Sequence, residues 1–151
     1  MGIFDHDEVH QLRRIANELE ELNCLVRQFL IHQVTGFRLF QIIGGKEMPI
    51  SGIQAGSTGT FQIGFVPPNG VPLQSGPTVS SDDPLVTLGP VSTDGTFTFT
   101  ASVDASDANT SFNITVAGVN GAGAALTHSF NVPIIAAPPP QITDFTLNQI
   151  S

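Results

Sequence analysis

Apolar residues recur at helical spacing near the start of the chain and at strand spacing through most of its remaining length. Between Asp5 and Gln33 there is no Gly or Pro, and Leu12, Ile15, Leu19, Leu22, Val26, Phe29 and Gln33 follow one another in alternating steps of three and four. That rhythm is a heptad a/d seam sustained for about three heptads, and it predicts an amphipathic, coiled-coil-like helix over residues 1–34. Asp5, Asp7 and Glu8 fall at its start, where carboxylates favour the free amides and the helix dipole. Arg13, Arg14, Glu18, Glu20 and Glu21 supply a charged outer face. The stripe has two ways to be buried, on the chain's own β domain or against copies of itself. A strict three-four spacing favours self-association, because a helix lying on a sheet needs only a looser stripe. Leu25 and Leu30 broaden the seam, which suits three or more chains better than two.

After Thr35-Gly36 the period changes. Residues 37–43 read as a strand closed by Gly44-Gly45, and the Gly, Ser, Thr and Pro that come next read as connector, so residues 35–57 are expected to be strand and linker. Beyond them come segments of period two. Phe61, Ile63 and Phe65 share a face, as do Phe97, Phe99, Ala101 and Val103, and again Phe112, Ile114 and Val116. Small polar residues occupy the other faces, as expected for antiparallel sheets with one side packed. Turn signals at 67–70, Asp94-Gly95, 107–109 and Asn120-Gly121 separate the runs. The expected fold is mainly β, a two-sheet sandwich over 58–135 behind an N-terminal amphipathic helix. Ala136-Ala137-Pro138-Pro139-Pro140 reads as a stiff extended spacer. The residues after it have strand composition and read either as a terminal edge strand folding back on its own domain, or a frayed tail, or as a strand exchanged with a neighbouring subunit, for which Ile142, Phe145 and Leu147 are the candidates.

The order Val71-Pro72-Leu73, PTVSSDDPLVTL (77–88), STDGTFTFTA (92–101) and SFNITVAGVNGAGAALTHSFNVPI (111–134) resembles the bacterial immunoglobulin-like domains of surface proteins and phage virion proteins. Val79 stands where that family often has Trp before the serines. The resemblance implies an immunoglobulin-like sandwich and a role as spacer, adhesion module or virion decoration.

Composition narrows the picture by exclusion. The net charge is −8, with no Trp or Tyr and 11 Phe to supply aromatic packing. Every cation (Arg13, Arg14, Arg27, Arg38, Lys46) precedes residue 47, while Asp82, Asp83, Asp94, Asp104, Asp107 and Asp144 come after it. A β domain without cations cannot neutralise phosphates, so neither nucleic acid nor an anionic membrane is expected as a partner. A single cysteine, Cys24, at an outward f position, forbids an intrachain disulfide. No apolar run approaches the ~20 residues of a membrane span. The N-terminus lacks the pattern of a secretory signal, and His6 stands where a myristoylation site wants Ser or Thr, so cytoplasmic synthesis is expected, with incorporation into a virion or surface assembly.

Catalytic signatures do not emerge. Gly44-Gly45-Lys46 lacks the rest of a P-loop, and no nucleophile elbow, zinc-protease or dinucleotide motif is present. His6 and His10 with Asp7 could share a metal but read better as surface residues, and His128, alternating with Leu126 and Phe130, reads as a rim or core histidine. The clustered aspartates match no calcium-loop spacing, and Asn109 and Asn113 begin sequons that matter only on a secretory route. The expectation is a non-enzymatic structural or assembly protein without cofactor. Its helix oligomerises as three or more copies or docks on another assembly protein, and its immunoglobulin-like domain projects. The alternative is an extracellular adhesion or ligand-binding module, which calls for an export route.

Overall fold

A computed structural model describes residues 5–139 of the chain. The expected helix forms as α1 (His6–Ile31), capped at its start by Asp5 and Glu8 in a reciprocal capping box. Among the described residues nine strands come after it: β1 (Gly36–Ile43), β2 (Lys46–Met48), β3 (Ile53–Gln54), β4 (Thr58–Val66), β5 (Ser75–Ser81), β6 (Val86–Leu88), β7 (Thr98–Val103), β8 (Ser111–Val119) and β9 (Ala125–Ile135). They make two sheets, one ordered β2-β1-β4-β7-β6 and the other β3-β9-β8-β5. Pairing is antiparallel except where β3 runs parallel to the end of β9.

The core lies between the sheets and is built from the alternating residues. Phe37 and Leu39 of β1, Phe61 and Ile63 of β4, and Phe99, Ala101 and Val103 of β7 face Phe112, Ile114 and Val116 of β8 and Val132 of β9. Phe61 and Phe99 are cross-strand partners whose rings stack 5.7 Å apart, so phenylalanine fills the place that Trp or Tyr takes elsewhere. Phe97, read from period alone as part of this row, precedes β7 and adopts φ 52, a left-handed backbone rare for a bulky residue. Its ring packs edge-on against Phe65, and its carbonyl accepts from Ile63 N at 3.1 Å.

Residues 44–57, expected as connector, are woven into both sheets. β2 hairpins back on β1, and the chain then crosses to pair Ile53 and Gln54 with Ile134 and Ile135. The crossing is held by Gln41, a buried polar residue on the inward face of β1. Its Oε1 accepts from Ser51 N (2.9 Å), Ser51 Oγ (3.0 Å) and Gly52 N (3.3 Å), and its Nε2 donates to the Gly52 carbonyl (2.8 Å). A two-residue strand among Gly and Ser carries no periodic signal, so its place depends on these long-range bonds.

The sandwich has two poles. One gathers the β4–β5 and β8–β9 connections and the root of α1; at the other, β9 ends beside Ala55, whose N–H donates to the Ile135 carbonyl. The helix and the C-terminal segment therefore leave from opposite poles, separated by the length of β9, about 35 Å.

Candidate assembly surface

The heptad seam of α1 is open. Leu12, Ile15, Leu19, Leu22, Val26 and Phe29 are each about half exposed, between 46% and 56%. Among the described residues α1 makes no extended contact with either sheet. With Leu12 at position a, the e and g flanks hold Val9, Ala16, Asn23 and Leu30, and Gln11, Glu18, Leu25 and His32. Glu18 is the one formal charge there, and it is bound within its own helix by Arg14 at 3.1 Å. Arg13, Glu20, Glu21 and Arg27 stand on the outer b and c positions. From Leu12 onward, identical copies laid side by side would thus meet across an apolar strip, whereas one turn earlier Glu8 falls at d and would set like charges together.

Gln33, expected as the last seam position, is instead a root residue of the sandwich. The helix ends at Ile31, and Gln33 is 4% exposed, bridged to Val71 and donating from Nε2 to the Phe29 carbonyl at 3.0 Å. Around it, Val71 N donates to the His32 carbonyl (2.6 Å), Thr35 N to the Val66 carbonyl (2.7 Å) and Asn120 Nδ2 to the Val34 carbonyl (3.1 Å). A Cβ at Gly121 would lie 2.8 Å from Gln33 Oε1, and one at Gly70 2.8 Å from Val34 Cγ2. The root is therefore held by backbone bonds and close packing on the residues that follow the helix. Nothing in the local sequence around Gln33 announces this, because its partners lie far along the chain at Val71, Asn120 and Gly121.

The remaining candidates resolve into structural parts. Four aspartates build Asx turns, each accepting from the N–H two residues on: Asp83 from Leu85 (2.9 Å), Asp94 from Thr96 (2.9 Å), Asp104 from Ser106 (2.8 Å) and Asp107 from Asn109 (2.9 Å). Asp82 reaches across to β8 and accepts from Asn113 N (2.7 Å) and Nδ2 (2.8 Å). These bonds hold three carboxyls below their ordinary range: Asp82 through the Asn113 backbone and side chain, Asp94 through the Thr96 hydroxyl and amide, Asp104 through the Ser106 hydroxyl and amide. Among the described residues no three His, Cys, Asp or Glu are placed to hold a metal ion. The rings of His6 and His10 meet edge-on at 4.8 Å in the first turns of α1. His128 sits exposed at the sandwich rim, stacked on Phe130 at 5.2 Å. Cys24 is exposed. Among the described residues no helix is long and apolar enough to cross a membrane. Ile142, Phe145 and Leu147 lie outside the described residues.

Comparison of the chain with protein-family models, with curated proteins and with solved structures gave no match.

Proposed function

We propose that this protein is a non-enzymatic assembly component, of a virion or a surface structure. Three or more copies join through α1 into a stem, and an immunoglobulin-like domain projects from each. The observation that carries the reading is the open heptad seam: six apolar side chains in register, half exposed, on a helix of 26 residues whose own sandwich does not cover them. Neutral flanks and an internally paired Glu18 favour a second copy of this helix over a charged partner. The root, held by backbone bonds and packing on the residues that follow the helix, supports projection of a domain from each copy.

Support for the immunoglobulin-like assignment lies in the strand order. If β1 and β3 are taken as the two parts of strand A, then β4 to β9 become B to G. The first sheet then reads A-B-E-D with β2 as an added edge strand outside A, and the second A′-G-F-C with A′ parallel to G, an order that supports the immunoglobulin-like reading.

Light scattering tests the stem. The unaltered chain is expected to be a trimer or larger, and the doubly substituted chain Leu19→Lys, Leu22→Lys a smaller species with unchanged β-sheet circular dichroism. If the unaltered chain is a monomer at every concentration, the stem reading fails and a ligand-binding module takes its place.

A further inference from the structure

We infer that the lateral edge of β9 is an acceptor site for the C-terminal segment Ile142–Ile150 of a second copy, which adds to the sheet as a strand. This contact is separate from the helical stem.

The acceptor is argued from register. β9 is 11 residues long and pairs with β8 along Ala125–Pro133, but on its other side, among the described residues, it is paired at Ile134 and Ile135 alone. Ile134 N donates to the Thr110 carbonyl on the β8 side. By the alternation of an antiparallel ladder, the even-numbered residues of β9 bond toward β8, and Thr127, Ser129 and Asn131 present their N–H and C=O groups outward. A row of unpaired backbone groups is a template for a further strand.

Beside this edge lies the Gly36–Phe40 half of β1, which β2, pairing at Gln41–Ile43, does not cover; it approaches β9 near His128 and, among the described residues, makes no ladder with it. A groove of about 480 Å³ runs there, floored by Leu39, Ile50 and Phe130 and rimmed by the exposed Met48. Arg38 and Glu47 also line the groove, one charge of each sign, so its charge does not oppose a strand that carries a single aspartate.

The occupant is argued from the chain outside the described residues. Ile142-Thr143-Asp144-Phe145-Thr146-Leu147-Asn148-Gln149-Ile150 has strand composition, sets Phe145 and Leu147 on one period-two face, and carries a single charge, Asp144. Its length matches the free part of β9. A return onto the same copy is disfavoured, because β3 already covers the stretch of β9 nearest the spacer, and Ala137 before three prolines is held extended rather than turning back. Such a head-to-tail contact is heterologous and builds rings or open chains, whereas the stem closes on itself.

The test uses the full-length chain with the stem removed by Leu19→Lys, Leu22→Lys, so its outcome is independent of whether α1 self-associates. The weight-average mass of this chain is expected to rise with concentration to at least about twice that of the monomer. Adding Phe145→Asp, at a position outside the described residues, should hold it monomeric. Adding Ser129→Pro should do the same, since it deletes one outward N–H and proline is tolerated on edge strands; circular dichroism and the thermal midpoint verify that the sandwich is intact. A stemless chain that stays monomeric at all concentrations overturns the inference, as does association that survives either added substitution.

Discussion

In the sandwich, the apolar face of each long strand is met by a facing sheet: Phe61, Ile114, Val116 and Val132 are fully buried. In α1 the pattern is as regular, yet Leu19 and Leu22 remain 54% and 56% exposed. Covering an apolar stripe is favourable in both elements, but the strands achieve it within the chain and, among the described residues, the helix does not. Regular periodicity thus states that a face will be buried and does not state by what. The two regions should therefore respond differently to the same kind of damage.

The largest difference is expected from truncating one apolar side chain in each. Phe61→Ala should cost about 3–5 kcal/mol of unfolding free energy at any protein concentration, because it opens a cavity among Ile53, Ile63 and Phe99. Leu22→Ala should shift the unfolding of dilute protein by no more than about 0.5 kcal/mol, as for an exposed position, while weakening self-association. Urea melts at several protein concentrations separate the two, and an equal, concentration-independent loss from both would mean that the helix is covered by its own chain.

Next is Gln41, the point where the core depends on polar bonds. Gln41→Leu keeps the volume but strands the Gly52 N–H and carbonyl, and should cost about 3 kcal/mol. Because these bonds seat β3, hydrogen exchange at Ile53 and Gln54 should accelerate ahead of exchange in β8. Uniform acceleration across the sandwich would mean that Gln41 supports the whole core rather than the crossing.

At the boundary between the two regions, Gly121→Ala would place a methyl 2.8 Å from Gln33 Oε1 and 2.9 Å from Val71 Cγ1. The expected cost is about 1–2 kcal/mol, with the loss concentrated in the last turn of α1. If helicity and stability are both unchanged, the root has room to yield and the helix is not rigidly held.

Much of this was legible from residue order alone. The start of α1 was marked by Asp5 and Glu8, while its end at Ile31 fell short of the expected 34; the buried faces of β4, β7 and β8 were marked by the alternation of Phe, Ile and Val. The parts that were not legible depend on pairings distant in sequence. β3 is too short to show a period, and Gln33 fitted the heptad count while its burial is decided by Val71 and Gly121. Gln41 did leave a signal, a polar residue on the inward face of an apolar strand, which marks a position needing partners. The edge of β9 that is unpaired among the described residues left none, since a strand looks the same in sequence whether one or both of its edges are paired.

The smallest effect expected is in the acid limb of stability, and it belongs to the sandwich alone. Asp82, Asp94 and Asp104 are exposed, yet each is held ionised by donors that the unfolded chain does not place beside it. A carboxyl whose folded pKa is depressed contributes stability that is fully present above its unfolded value, about 3.9, and is lost as pH falls through the folded value. Thermal midpoints of the sandwich should therefore be flat from neutral pH to about 5 and decline below about 4. Asp82→Asn should flatten that decline in part, because Asn cannot titrate. The seam of α1 holds no titrating group at its a and d positions between Leu12 and Phe29, so over the same range self-association should track the sandwich only once it begins to unfold. Dissociation of the stem at a pH where the midpoint is still flat would instead point to charges on the flanks, with Glu18 and its Arg14 partner the first to be substituted.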